Sequence, residues 1–127
     1  MQIQLEPGDN HSICSYDKNH VVIMGHEYTK SLLITSDQII SPWTVSNLDL
    51  LTLVDFDAIL NNQPEIILIG HTESQINRPY NLIQELSIRR IGIELSDIGA
   101  ACRTFNVLLN ENRRVVLALM LAESQAL

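Results

Sequence analysis

The chain has 127 residues, 46% hydrophobic and 18% charged, with a formal net charge of −7. That is the size and composition of one globular α/β-sized domain, and it excludes a disordered chain. The acidic balance argues against nucleic acid as a partner, because the protein's field repels it at long range.

The first elements read as β. Ser12 to Tyr16 forms a short strand, Asp17-Lys18-Asn19 a turn, and His20 to Met24 a second strand that breaks at Gly25. Asp and Asn tolerate the left-handed geometry such turns need. A third strand runs from Ser31 to Thr35, turns through Ser36-Asp37-Gln38, and leads by Ile39-Ile40 into Ser41-Pro42-Trp43. Pro42 removes a ladder donor, so the strand ends there or lies at an edge. These runs predict an antiparallel meander.

A short helix begins at Asp55, with Phe56, Ile59 and Leu60 at the spacing of a buried stripe, and stops at Asn61-Asn62-Gln63-Pro64. Asp55 and Asp57 complement its dipole as caps; acid–base work would need burial and a partner. Glu65 to Gly70 is then an unbroken apolar strand, the pattern of a strand covered on both faces. Arg78-Pro79 opens a helix that buries Leu82, Ile83 and Leu86. Ile91 to Leu95 is the next strand. Ser96 is placed to cap the following helix, with Asp97 in its first turn, and that helix buries Ile98, Ala101, Cys102, Phe105 and Leu108 or Leu109. After Asn110 to Arg114, the run Val115 to Leu121 is a last apolar strand. The second part is therefore β-α-β-α-β, which predicts three parallel strands shielded by helices. The fold class is α/β: one domain spanning 1–127, with a mixed sheet whose parallel C-terminal part follows an antiparallel β meander.

Several of these segments together resemble a known family. They are Ile66-Ile-Leu-Ile-Gly70, Ile91-Gly-Ile-Glu94, Ala100-Ala-Cys-Arg-Thr-Phe-Asn-Val-Leu108, Arg113-Arg-Val115, and Ser41-Pro42-Trp43 ahead of them. The chain resembles, over about residues 10–121, the domain shared by mitochondrial complex I assembly factor three and the adipogenesis-associated protein. Its bacterial and archaeal members are uncharacterised. The resemblance implies a single α/β domain with a central mixed sheet. It also implies a non-enzymatic role, exerted through protein partners in assembly of the respiratory NADH:quinone oxidoreductase. One departure stands out. The family follows its Ile-Gly strand with a flexible Thr-Gly loop, and this chain has His71-Thr72-Glu73, with an acid where the glycine would be.

Candidate chemistry collects at the predicted strand ends. In open α/β sheets, ligands sit beyond the C-terminal ends of the strands. Gly70, His71 and Thr72 leave one such end and Ser96 and Asp97 the next, with Arg103 nearby, so these six residues are the candidate small-molecule or anion site. Asp97 opposes an anion there, and no glycine-rich loop or phosphate-binding lysine is present. Arg103 and Asn106, at i and i+3, offer a partner surface, or Arg103 fastens the helix to the sheet by pairing with Asp97 or another nearby carboxylate. Trp43, the sole tryptophan, is either an interface anchor or packing under the 44–53 loop.

No catalytic constellation is complete. Cys102 falls on a buried stripe, and Cys14 and Cys102 read as free buried thiols of a reducing compartment. His11, His20, His26 and His71 lack metal-ligand spacing. No cofactor is implied. The first residues are not a signal peptide, and no apolar run is long enough to span a membrane, so the expected location is the cytoplasm. Strand edges leave room for self-association. All six arginines, Arg78, Arg89, Arg90, Arg103, Arg113 and Arg114, lie after residue 76, whereas ten of the fifteen acids precede it. A local arginine cluster is thus available to hold one small anion.

Overall fold

Two aliphatic runs, 66–69 and 115–119, lie side by side at the centre of the protein. The computed structural model describes residues 11–45 and 47–123. The segment expected to lack a leader falls within 1–10, outside the described residues.

Among the described residues, eight strands form two sheets, and three α-helices accompany them. Strands β1 (Ile13–Tyr16), β2 (Val21–Ile23) and β3 (His26–Tyr28) make a small antiparallel sheet. Strands β4 (Leu32–Ile34), β5 (Ile39–Ile40), β6 (Ile66–His71), β7 (Gly92–Asp97) and β8 (Val115–Leu119) make the main sheet, ordered β5-β4-β8-β6-β7. Strand β6 pairs in parallel with β7 and with β8, and β4 pairs antiparallel with β8 and β5. The mixed α/β architecture agrees with the sequence pattern.

Alternate side chains of the main sheet feed two cores. Leu32, Ile34, Leu68, Leu117 and Leu119 face α3 (Ile98–Asn110) and the small sheet. Leu33, Ile67, Ile69, Val116 and Ala118 face α2 (Tyr80–Ile88), α1 (Asp57–Leu60) and the 3-10 turns Leu48–Leu50 and Leu53–Phe56. A central strand needs apolar side chains on both faces, which is why β6 and β8 read as unbroken hydrophobic runs. Helix α3 buries Ile98, Ala101, Cys102, Phe105 and Leu109, the expected stripe.

Several expectations need correction; Ile83, expected on the buried face of α2, is only half-buried. The meander is not continuous: its first strands form the small sheet, while β4 and β5 join the main one. Between them lies β3, whose exposed His26 and Glu27 gave no apolar signal. Met24 and Gly25, both with positive φ (51° and 81°), close a two-residue hairpin between β2 and β3. Strand β7 is not covered like its neighbours; it is an edge strand and stays half exposed. Cys14 is exposed, because the β1–β2 register shifts between Ile13 and Ser15. Finally, Asp97 and not Ser96 caps α3: its Oδ1 accepts the Ala100 amide at 2.7 Å.

Helix α1 begins at Asp57, two residues later than expected; Asp55 lies in the preceding 3-10 turn, where its carboxylate accepts the Thr52 amide at 2.9 Å. The Ser41–Pro42 peptide is cis.

Candidate functional site

Parallel pairing brings the C-terminal ends of β6, β7 and β8 to one edge, with Gly70 opposite Ser96 and Leu119, and His71 opposite Asp97. Two cavities open there. The larger, of about 830 Å³, lies between Thr29–Ser31, Pro42–Val45, His71–Glu73 and Met120–Glu123. The smaller, of about 310 Å³, is lined by Tyr16, Asp17, Lys18, His71, Thr72, Asp97, Ile98 and Gly99.

His71 and Thr72 border both cavities. The His71 side chain is buried, with only 8% of the residue exposed. Its Nδ1 accepts the Glu73 amide at 3.2 Å, which puts the proton of the neutral ring on Nε2. The loop that follows β6 is therefore held by its own histidine.

Gly70 lies beneath the cavities and not in their walls. A Cβ there would stand 2.8 Å from Leu119 Cδ2 and 3.0 Å from Ala101 Cβ, so glycine is needed for α3 to approach the sheet. Ser96 turns its hydroxyl to the Asp97 carbonyl at 3.4 Å. Asp97 lines the smaller cavity while its carboxylate fills the free end of α3. An anion is thereby kept from that helix terminus.

Arg103 does not pair with Asp97. It donates to the Tyr16 hydroxyl at 2.8 Å, so it reaches the smaller cavity only through Tyr16. Asn106 clasps the backbone of Ile13, accepting its amide at 2.7 Å and donating to its carbonyl at 3.0 Å. Both residues join α3 to β1. Trp43 is 7% exposed; its indole N–H donates to the Asp55 carbonyl at 2.8 Å, and its ring tilts against Phe56 with centroids 5.4 Å apart. One edge of it borders the larger cavity.

Lys30, Tyr16 and Lys18 also border these cavities, and sequence reasoning missed them. They come from the small sheet and its connection, far away in the chain, and no local pattern marks them.

Nucleophilic chemistry finds little support. Burial raises the Cys102 thiol to about 12, only partly offset by the Arg103 charge. Among the described residues, no group of three or more His, Cys, Asp or Glu side chains is arranged to hold a metal ion. No helix among them is long and apolar enough to cross a membrane.

The chain resembles known proteins along most of its length. It is 30% identical over 101 residues to the 13 kDa major membrane protein of Francisella tularensis subsp. holarctica (strain LVS), covering 79% of this chain and 82% of that one. An NMR structure of a Xanthomonas campestris protein matches with a TM-score of 0.82 at 29% identity, covering 98% of this chain and 94% of that chain. A Bordetella pertussis protein described as an Mth938-like domain shares the fold, with a TM-score of 0.71 at 20% identity over 98% of this chain and 95% of that one. Residues 13–120 match the family model described as a protein of unknown function, DUF498/DUF598, and with β1 through β8 inside that match the chain belongs to this family.

Proposed function

We propose that this chain is a non-enzymatic protein-interaction domain. Like the complex I assembly factors it resembles, it would act by docking on respiratory-complex subunits or other assembly factors. The observation that carries this reading is the outer surface of one layer. Leu50, Val54, Tyr80 and Ile88 are 61%, 71%, 71% and 78% exposed. All four belong to the 3-10 turns and α2, which cover the same face of the main sheet. Large apolar side chains left in water on one layer favour a protein partner over bulk solvent. The name of the Francisella relative fits a factor that works at a membrane-bound complex. A cytoplasmic location belongs to the same reading, supported by two cysteines that stand free.

Affinity capture from host membranes, with identification by mass spectrometry, tests it. The intact chain is expected to retain subunits of the NADH:quinone oxidoreductase, and a Leu50→Ser/Val54→Ser/Ile88→Ser variant to lose them while staying folded. Equal retention by both proteins, or none by the intact chain, would remove the reading.

A second reading, a small-molecule binding protein using the strand ends, is favoured by His71. Its ring is buried at the wall shared by both cavities, with one nitrogen already engaged. A metabolite that raises the melting temperature of the intact chain, and not of His71→Ala, would support this reading over the first.

A further inference from the structure

We propose that the opposite end of the main sheet carries a phosphate-binding cleft built from Arg89, Arg90, Arg113 and Arg114. The parallel register creates it. Ile66 lies opposite both Gly92 and Val115, so the residues just before β6, β7 and β8 meet at one edge. The pair Arg89-Arg90 enters β7 and the pair Arg113-Arg114 enters β8, with Glu65 between them at the start of the central strand. All five line one cavity of about 610 Å³.

Four guanidinium groups face one carboxylate there, in a chain of net charge −7. Glu65 takes Arg113 Nε at 2.9 Å, and Arg114 Nε donates to the Gln63 carbonyl at 2.8 Å. Glu111 reaches Arg113 only at 3.9 Å and does not line the cavity. The side chains of Arg89 and Arg90 have no hydrogen-bond or ion-pair partner among the described residues. A phosphomonoester carries a charge of about −1.5 to −2 near neutrality, which matches the surplus better than a single carboxylate does. The cations of the cleft are all arginine, whose planar fork suits paired phosphate oxygens.

The backbone adds a second argument. Arg90 adopts φ 62° just past the end of α2, where its amide bonds Ser87 and the Ile91 amide bonds Leu86. Glycine is the favoured residue at that position. Arginine stands there instead, so the turn that ends α2 puts a cation into the lining of the cleft.

Backbone amide shifts of the full chain, titrated with inorganic pyrophosphate, test the site. Co-sedimentation with phosphatidic acid or phosphatidylcholine vesicles separates a soluble phosphate from a lipid headgroup. Saturable shifts at 63, 65, 89–92 and 113–115 are expected, or selective capture by phosphatidic acid vesicles. Arg89→Gln/Arg90→Gln should weaken the response by about tenfold or more, the scale of one lost charged hydrogen bond. Arg78→Gln should leave it unchanged. Arg90→Gly should keep the fold and still weaken binding, which a purely structural arginine would not do. The proposal is overturned by the absence of any response to pyrophosphate and to both vesicle types. It is equally overturned by an equal response to glutamate, or by binding unchanged in the double variant.

Discussion

Asn106 on α3 holds the backbone of Ile13 on β1 from both sides, through its Oδ1 at 2.7 Å and its Nδ2 at 3.0 Å. One side chain thereby supplies a strand-like pair of hydrogen bonds between the helix and the small sheet. Asn106→Ala would leave the Ile13 amide and carbonyl without these partners. It should lower stability by about 2 kcal/mol, measured as a shift in urea midpoint. Asn106→Asp keeps the acceptor and removes the donor, so it should rank close to alanine. A cost near zero for both would show that this clasp adds nothing to the joint between α3 and β1.

Gly70 and Ala101 mark the closest approach of α3 to β6. Gly70→Ala would place a methyl 2.8 Å from Leu119 and 3.0 Å from Ala101. Overpacking of this kind costs about 1–3 kcal/mol. Thermal denaturation should show the loss; an unchanged melting temperature would mean that the Leu119 side chain and α3 give way freely.

The two thiols should separate cleanly under alkylation. Cys14 is exposed and Cys102 is fully enclosed, with its thiol raised to about 12 by burial. Thiolate is the reactive form, so native protein at neutral pH should take up one iodoacetamide adduct, and denatured protein two. Peptide mass spectrometry locates them. Rapid native labelling of Cys102 would contradict its place in the core.

Glu65 links acid stability to the arginine cleft. Its carboxyl is held below the ordinary glutamate range, first by the Arg114 amide and then by the Arg113 side chain. A depressed folded value contributes stability that is present above the unfolded pKa of about 4.3 and is lost as pH falls through the folded value. In Glu65→Gln the acid limb of a stability–pH curve should therefore be shallower than in the parent chain. Parallel limbs would remove Glu65 from the acid response.

Much of the architecture was legible because each central element repeats one simple rule. Runs such as Ile66–Ile69 and Val115–Leu119 announce strands covered on two faces, and the spacing of Ile98, Ala101, Cys102, Phe105 and Leu109 announces one buried helical stripe. Edges carry weaker signals. Strand β3 is polar and exposed, and β7 alternates only partly, so the split of the meander into two sheets and the exposure of β7 escaped local patterns. The bulge that turns Cys14 outward is likewise a matter of pairing register.

The sequence by itself determined which segments are greasy enough to be central, that the crossovers run through helices, and that Cys102 lies on the enclosed stripe of its helix. Those are properties of short windows, set by periodicity and burial. Only the tertiary structure decided what meets at the two ends of the sheet. Register placed His71 against Asp97 at one end and two arginine pairs around Glu65 at the other. It also turned Arg103 and Asn106 toward Tyr16 and Ile13. These contacts join residues dozens of positions apart, and their partners are chosen by the packing of layers, which no local window encodes.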